Sequence, residues 1–227
     1  MAITLYTGQT PNGVKISIAL ELLRLAYKTV HIDISTNKQK EDWYLKICPN
    51  GRIPAIVDTE GPRKTNGEEF TIFEGGAILQ YLADKYDPQH RISFPRYSEE
   101  YYRMLEWLYF QHGGIGPMQG QAHHFSFYAK ENIPYGIKRY TDETHRLYTV
   151  LNTQLEKNGS GFIVGDHISL ADIAAIGWVA GGYKLGFDLK KDFPAIDNWI
   201  SKVTSIEEVK KGLNVPTPWP HAEHYKL

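Results

Sequence analysis

Residues 49–58 read PNGRIPAIVD, a cluster of turn residues that runs directly into a short apolar strand. The turn residues Pro49-Asn50-Gly51 end the helix before them, and residues 52–58 are predicted to form a strand that contains Pro54. Proline is disfavoured inside a central strand because it has no N–H group to donate. A cis bond at the start of the strand resolves this conflict, and we expect it to turn backbone groups toward a cleft.

The elements on either side of this strand complete a small α/β unit. Before it, apolar spacing predicts a strand over 2–7, a helix over about 13–26, a strand over 29–34 and a short helix over 38–47. After it, the pattern predicts a polar loop over 60–69, a strand over 70–73 and a helix over 74–86. The order β-α-β-α-β-β-α predicts a mixed sheet with flanking helices.

The rest of the chain is predicted to be helical. The apolar pattern gives helices over 98–112, 118–130, 135–157, 169–185 and 195–211, before an irregular Pro-rich tail in which His221 and His224 are expected to be disordered. We therefore predict an α/β domain over 1–87, a linker over 88–97 and an all-α domain over 98–227. Ser169 and Asp172 form a capping-box pattern, so Asp172 is assigned a structural role.

Composition excludes several classes of function. The 227 residues carry a formal net charge of -1, so no basic excess indicates a nucleic-acid partner. We see no cationic amphipathic segment or long apolar run, so no membrane association is expected. The N-terminus lacks signal-peptide features. The single cysteine, Cys48, cannot form an internal disulfide, which fits a reducing compartment and a cytoplasmic protein.

Four stretches agree with one family. TPNGVKI (10–16), PNGRIPAIVD, FEGGAILQYLADKY (73–86) and ISLADIA (168–174) resemble cytosolic glutathione transferases. Together with GGIGPMQGQAHHF (113–125), the first stretch resembles the nu class, which includes bacterial disulfide-bond oxidoreductases and the transferase-like domain of a fungal nitrogen regulator. The resemblance implies a thioredoxin-like N-terminal domain, an all-α C-terminal domain, a homodimer and glutathione as co-substrate.

A glutathione site needs partners for two carboxylates, one ammonium group and one thiol. Glu74 can pair with the γ-glutamyl ammonium, and the N–H groups of Gly75 and Gly76 at a helix N-terminus can bind the adjacent carboxylate. The family usually has a serine at the position of Gly75. The missing hydroxyl contact is expected to weaken binding by about 0.5–1.5 kcal/mol. The alternative for Glu74 is a solvated carboxylate in the first turn of a helix.

The middle and the glycyl end of glutathione are assigned to two loops. The backbone of Ile53, beside Pro54, can pair with the cysteinyl unit like an added strand. Arg52, Gln39 and Lys15 can face the glycyl carboxylate, and the resemblance implies binding positions for the first two. The alternative for Arg52 and Lys15 is ordinary surface charge.

The thiol of glutathione must be held as thiolate. The nu-class resemblance implies Thr10 and Asn12 as the catalytic pair, and a hydroxyl or amide donor contributes about 1.5–3 kcal/mol to a charged partner. Two alternatives remain open. Tyr6 could serve the thiol as in other classes, and Asn12-Gly13 could be turn and capping chemistry alone.

No protein thiol is assigned to the reaction. Cys48 is predicted to be a packing residue, and no Cys-x-x-Cys pair exists. Both reacting thiols would then come from glutathione. The resemblance implies two glutathiones or one glutathione disulfide per site, with Arg139 on the second molecule's carboxylate. No metal is expected, because the adjacent His123 and His124 diverge on a helix.

These residues predict disulfide or hydroperoxide reduction by glutathione, with slower conjugation to electrophiles. Two alternatives stay open at this point. One is a conventional conjugating transferase that uses Tyr6, and the other is a glutathione-binding regulator without catalysis.

Overall fold

The computed structural model describes residues 2–62 and 67–226. The chain forms two compact units, Met1–Ile92 with Ile206–Leu227, and Ser93–Ser205. Of the polar loop predicted over 60–69, residues 63–66 lie outside the described residues.

The first unit contains a four-stranded mixed sheet, as predicted. Its strands are β1 (Ile3–Thr7), β2 (Tyr27–His31), β3 (Ala55–Asp58) and β4 (Phe70–Phe73), in the order β2-β1-β3-β4. β1 pairs parallel to β2 and antiparallel to β3, and β3 pairs antiparallel to β4. The Ile53–Pro54 peptide is cis, as expected, so β3 begins after the proline rather than at residue 52.

The helices α1 (Gly13–Leu22), α2 (Asp42–Leu45) and α3 (Gly75–Tyr86) belong to this unit. The single helix predicted over 38–47 is wrong, because the segment is divided into a 3₁₀ turn at Lys38–Lys40 and α2 at Asp42–Leu45. Asn37 has a left-handed backbone with φ 60°, and Glu41 is extended, so the chain breaks twice. α1 ends before residue 26 because Arg24 also takes a positive φ of 55°.

The second unit is helical, as predicted. Its helices are α4 (Glu99–Phe110), α5 (Gly116–His123), α6 (Pro134–Asn158), α7 (Leu170–Val179), α8 (Leu189–Asp192) and α9 (Pro194–Thr204). The break predicted between residues 112 and 118 is wrong, because Gln111–Ile115 continues the helical path as a π-helical turn. The capping box is confirmed. Asp172 is fully buried and accepts bonds from Ser169 N at 2.9 Å and Trp199 Nε1 at 2.8 Å.

The C-terminal segment, Ile206–Leu227, packs with the first unit, whereas the predicted division placed it in the all-α domain. Its helices are α10 (Glu207–Leu213) and α11 (Ala222–Tyr225). A Cβ at Gly212 would lie 2.4 Å from Ile18 Cα, so α10 lies directly against α1. The prediction of a wholly irregular tail is wrong, and so is disorder at His221. That residue is buried, and Trp219 stacks on Tyr225 with ring centroids 5.8 Å apart.

No helix within 2–62 and 67–226 is both long and apolar enough to cross a membrane.

Candidate functional site

Strand register brings three of the predicted binding segments to one end of the sheet. Tyr6 on β1 is paired with Ala55 on β3, and Ala55 is paired with Phe73 on β4. Because neighbouring strands alternate in direction there, the segments after Tyr6, before Ala55 and after Phe73 leave the sheet at one end. We call residues 8–13, 52–54 and 74–76 the site end of the sheet. Sequence reasoning named each of these segments without knowing the strand order.

The corner after β1 is a tight turn. Gly13 begins α1, and a Cβ there would lie 2.1 Å from Gly8 O and 2.6 Å from Thr7 Oγ1, so no larger residue fits without a shift. Thr10 Oγ1 accepts a hydrogen bond from Gly13 N at 3.0 Å. The hydroxyl oxygen of Thr10 therefore caps the helix, while its O–H can still donate to a partner.

Asn12 differs from Thr10 at the same corner. It is the N-cap residue of α1, yet its side chain makes no capping hydrogen bond to the helix. Capping, the structural alternative for this residue, is therefore met by Thr10 and not by Asn12. An amide at a helix N-terminus lies where a negative charge is favoured, which suits a donor to a sulfur anion.

Glu74 has an unusual backbone at the start of α3. Its φ is 71° and its ψ is 116°, although it is not glycine, and its side chain is exposed. Such a conformation costs about 1–3 kcal/mol and is found mostly at functional sites. The first intrahelical bond is Ile78 N to Glu74 O at 2.9 Å, so the N–H groups of the buried Gly75 and Gly76 precede the helix ladder. An exposed carboxylate beside these N–H groups suits an α-amino acid group.

Lys15 is not a surface charge. Its side chain lies on the first turn of α1 and is only 1% exposed. Burial lowers the pKa of Lys15 to about 7, and the Glu74 carboxylate partly offsets this effect. Lys15 thus interacts with the residue assigned to the γ-glutamyl end of glutathione, although we predicted it to face the glycyl carboxylate. That contact stays a prediction.

The loop before β3 is held from the side by an aromatic residue. Tyr44 on α2 donates its hydroxyl hydrogen to Arg52 O at 2.7 Å, and the Arg52 side chain is exposed. Among the described residues, no hydrogen bond involves the backbone N–H or C=O of Ile53. Both groups can therefore pair with a peptide ligand. Tyr44 was not predicted, since nothing in the sequence links its hydroxyl to this loop.

Gln39 lies in the turn before α2 and is 9% exposed. Its Nε2 donates to Ile34 O at 3.2 Å, so one amide hydrogen is already used within its own loop. A Cβ at Gly51 would lie 2.9 Å from Gln39 O, so the Gln39 loop lies against the segment that leads to Arg52.

The two alternative reactive side chains are held by packing. Tyr6 lies against Trp43 and Tyr44, with ring centroids 6.2 and 6.0 Å away. Burial, and to a lesser degree the Glu69 carboxylate, raises the pKa of Tyr6, so its hydroxyl stays protonated. Cys48 is 1% exposed in the core with Ile32 and Tyr44. The packing role predicted for Cys48 is confirmed.

Arg139 belongs to the second unit. It is exposed on α6. The hydrogen bond from Arg146 is the main cause of the lowered pKa of Glu143, and the charge of Arg139 lowers that pKa further. Its assignment to a second glutathione stays a prediction. Within the described part of the chain, no group of three or more His, Cys, Asp or Glu residues could hold a metal ion.

Comparison with known families identifies both halves of the chain. Residues 1–84 match the glutathione S-transferase N-terminal domain, and residues 122–207 match the glutathione S-transferase C-terminal domain. The disulfide-bond oxidoreductase YfcG of Escherichia coli (strain K12) is 42% identical over 203 residues, which are 89% of this chain and 90% of that protein. Glutathione S-transferase 1 of Schizosaccharomyces pombe is 35% identical, over 90% of this chain and 94% of that protein.

Solved structures give the same result. A glutathione transferase homologue from Lodderomyces elongisporus, with two glutathiones per subunit, superposes with a TM-score of 0.90 and 45% identity, over 95% of this chain and 99% of that chain. A glutathione transferase from Pseudomonas putida, with one glutathione disulfide per subunit, superposes with a TM-score of 0.83 and 34% identity, over 94% of this chain and 91% of that chain.

Proposed function

We propose, because this chain belongs to the glutathione S-transferase family, that it binds glutathione at the site end of its sheet and uses the glutathione thiolate to reduce disulfide bonds. One observation carries the proposal. The strand register brings the Thr10–Asn12 corner, Ile53 and Glu74 to one end of the sheet, while Cys48 is buried in the core. The site end thus offers donors and a carboxylate but no protein thiol.

Glutathione fits this end in one direction. Its γ-glutamyl group meets Glu74 and the N–H groups of Gly75 and Gly76, where a carboxylate and an ammonium group find opposite partners. The cysteinyl unit pairs with the Ile53 backbone beside Pro54. The glycyl carboxylate lies toward the exposed Arg52 and the Gln39 loop. This direction leaves the sulfur near the Thr10–Asn12 corner.

The corner stabilises the thiolate. A free thiol has a pKa of about 8.5, so only a small fraction is ionised at neutral pH. Donors from the Asn12 amide and the Thr10 hydroxyl favour the anion, and about 1.4 kcal/mol of differential stabilisation lowers a pKa by one unit. We expect a decrease of roughly one to two units at most, because water and the neutral thiol also interact with these groups.

The proposed reaction consumes two glutathiones. The thiolate attacks one sulfur of a disulfide R–S–S–R′, a new S–S bond forms, and R′S⁻ leaves and takes up a proton. The thiolate of a second glutathione then attacks the mixed disulfide and releases RSH and glutathione disulfide. Two glutathiones per subunit in the Lodderomyces elongisporus homologue, and the name of the Escherichia coli relative, support this reaction. Arg139 is assigned to the carboxylate of the second glutathione.

The same thiolate could reduce a hydroperoxide to an alcohol and water, with two glutathiones oxidised to the disulfide, or attack an electrophilic carbon more slowly. We place the protein in the cytoplasm as a homodimer, without nucleic acid, membrane or metal partners. The aromatic-rich segment 101–110 is the proposed interface, and Tyr102 and Tyr109 within it are 51% and 58% exposed.

Turnover of hydroxyethyl disulfide with glutathione tests the proposal. We expect steady oxidation of glutathione by wild type and by Cys48→Ala, because the cysteine takes no part. Glutathione binding without turnover of disulfide, hydroperoxide or an aromatic electrophile would instead identify a binding protein. Loss of turnover in a folded Cys48→Ala variant would contradict the absence of a protein nucleophile.

A further inference from the structure

The residue before the proposed catalytic corner bonds to a helix at the other end of the chain. Gln9 Nε2 donates to Leu213 O at 2.9 Å, across 204 positions of sequence. We infer that Gln9 is a positioning residue that holds the Thr10–Asn12 corner by anchoring it to the last turn of α10. This inference rests on the proposed function, since it concerns the same two donors.

The acceptor is available because of helix geometry. Leu213 is the last residue of α10, and the last four carbonyls of a helix have no intrahelical partner. A side-chain amide can therefore cap this end. The carbonyl can only accept, so the Gln9 amide is oriented with its nitrogen toward Leu213.

The anchor itself is fixed on α1. Ser17 Oγ donates to Gly212 O at 2.7 Å, and Gly212 lies so close to Ile18 that a Cβ would be 2.4 Å from its Cα. Two successive carbonyls of α10 are thus capped by side chains on either side of the corner, one before it and one after it. The two bonds constrain different parts of the structure. The Ser17 bond fixes α1 to α10, whereas the Gln9 bond fixes the turn to α10.

Three further bonds shape the turn. Thr10 N donates to Gly8 O at 2.8 Å, Val14 N donates to Thr10 O at 3.2 Å, and Thr10 Oγ1 caps Gly13. These bonds shape the turn and join it to the first two residues of α1. The Gln9–Leu213 bond ties it to α10 one residue before Thr10, where a small rotation would displace both donors from the sulfur.

The other end of the Gln9 amide argues against a role in stability alone. Its Oε1 is buried and has no hydrogen-bond partner within the part of the chain that the structure describes. An acceptor buried in this way is unfavourable, so an apolar side chain would serve stability as well. What glutamine adds here is the donor to Leu213.

Gln9→Met tests the inference, with Ser17→Ala as the matched control on the neighbouring carbonyl. Four quantities are measured for wild type and both variants. They are kcat with hydroxyethyl disulfide, KM for glutathione, the pKa of the bound glutathione thiol from thiolate absorbance near 240 nm, and the midpoint of thermal unfolding. Gln9→Met is expected to lower kcat about tenfold, or about 1.4 kcal/mol of activation free energy. It should raise the thiol pKa in the complex, with KM for glutathione and the unfolding midpoint nearly unchanged.

Ser17→Ala is expected to lower the unfolding midpoint and to leave kcat and the thiol pKa at wild-type values. The outcomes separate this inference from the proposal on which it rests. An unchanged thiol pKa in Gln9→Met, beside a lowered value in wild type, overturns the role of Gln9 alone. An ordinary thiol pKa in the wild-type complex overturns the stabilised thiolate and the positioning role with it.

Discussion

The two ends of strand β3 use polar residues in opposite ways. At its C-terminal end, the buried Asp58 accepts hydrogen bonds from Tyr81 and Tyr86 at 2.6 and 2.7 Å and from Glu60 N at 2.9 Å. At its N-terminal end, the Ile53 backbone makes no hydrogen bond among the described residues, and the Glu74 carboxylate is exposed.

Within one sheet, the polar groups at one end of β3 therefore stabilise the fold, and those at the other end remain available to a ligand. Burial alone would raise the pKa of Asp58, but the bonds from Tyr81, Tyr86 and Glu60 outweigh it and lower that pKa. Those groups complete their bonding within the protein. The groups at the site end are oriented by their own backbone, yet they leave bonding capacity for a ligand, at the cost of a strained residue 74.

Substitution of Asp58, at the C-terminal end of β3, should have the largest effect, and that effect should be on stability. Asp58→Ala leaves two tyrosine hydroxyls and the Glu60 N–H without their acceptor, so we expect the free energy of unfolding to fall by about 3 kcal/mol. Urea denaturation measures it. Turnover per folded molecule should stay at the wild-type level, and a loss of turnover without a loss of stability would remove the distinction between the two ends.

Substitution at the corner should show the reverse pattern. Asn12→Ala removes a donor to the thiolate but no helix cap, so kcat is expected to fall about thirtyfold, or about 2 kcal/mol. The free energy of unfolding should change less than the activation free energy, and the dissociation constant of glutathione should rise much less than kcat falls. Equal losses in kcat and binding would assign Asn12 to binding alone. Thr10→Ala is a poorer test, because it also uncaps Gly13.

The buried Lys15 on α1 should make the free energy of unfolding depend on pH. Below about pH 7 this lysine is charged in both the folded and unfolded states, and burial of the charge opposes folding. Above that value the folded protein loses the proton first, so the free energy of unfolding should rise with pH until the unfolded lysine also titrates near 10.4. We expect a gain of about 1 kcal/mol between pH 7.5 and 8.5 relative to Lys15→Met. If the free energies of unfolding of wild type and Lys15→Met differ by the same amount at every pH, the lowered pKa of Lys15 is contradicted.

The smallest effect is expected at Tyr6. Its ring packs on Trp43 and Tyr44, and Phe keeps that ring, so Tyr6→Phe should change kcat less than twofold. Steady-state kinetics at several pH values measures this. A fall in kcat as large as that of Asn12→Ala would instead assign stabilisation of the thiolate to the Tyr6 hydroxyl.

The sequence predicted the sheet and the segments at its site end because local rules settle them. Pro54 inside an apolar run required a special peptide bond, and Asn12-Gly13 after a strand required a corner. Helix limits were less predictable. Asn37 and Arg24 take positive φ values although neither is glycine, and the path through Gln111–Ile115 keeps its helical bonds despite two glycines.

Long-range contacts were beyond a reading of local pattern. Nothing near Gln9 points to a carbonyl 204 residues away, and the buried state of Lys15 depends on how α1 packs. The prolines of the tail predict irregular structure because proline breaks helices, but Trp219 is buried and stacks on Tyr225. Pairings between distant segments decide these positions, and a single sequence does not display them.

A crystal structure of the protein soaked with glutathione tests the central claim most directly. The proposed chemistry places the glutathione sulfur within about 3.5 Å of Asn12 Nδ2 or Thr10 Oγ1, the limit for a hydrogen bond. A sulfur beside the Tyr6 hydroxyl, or joined to Cys48 in a mixed disulfide, would contradict it.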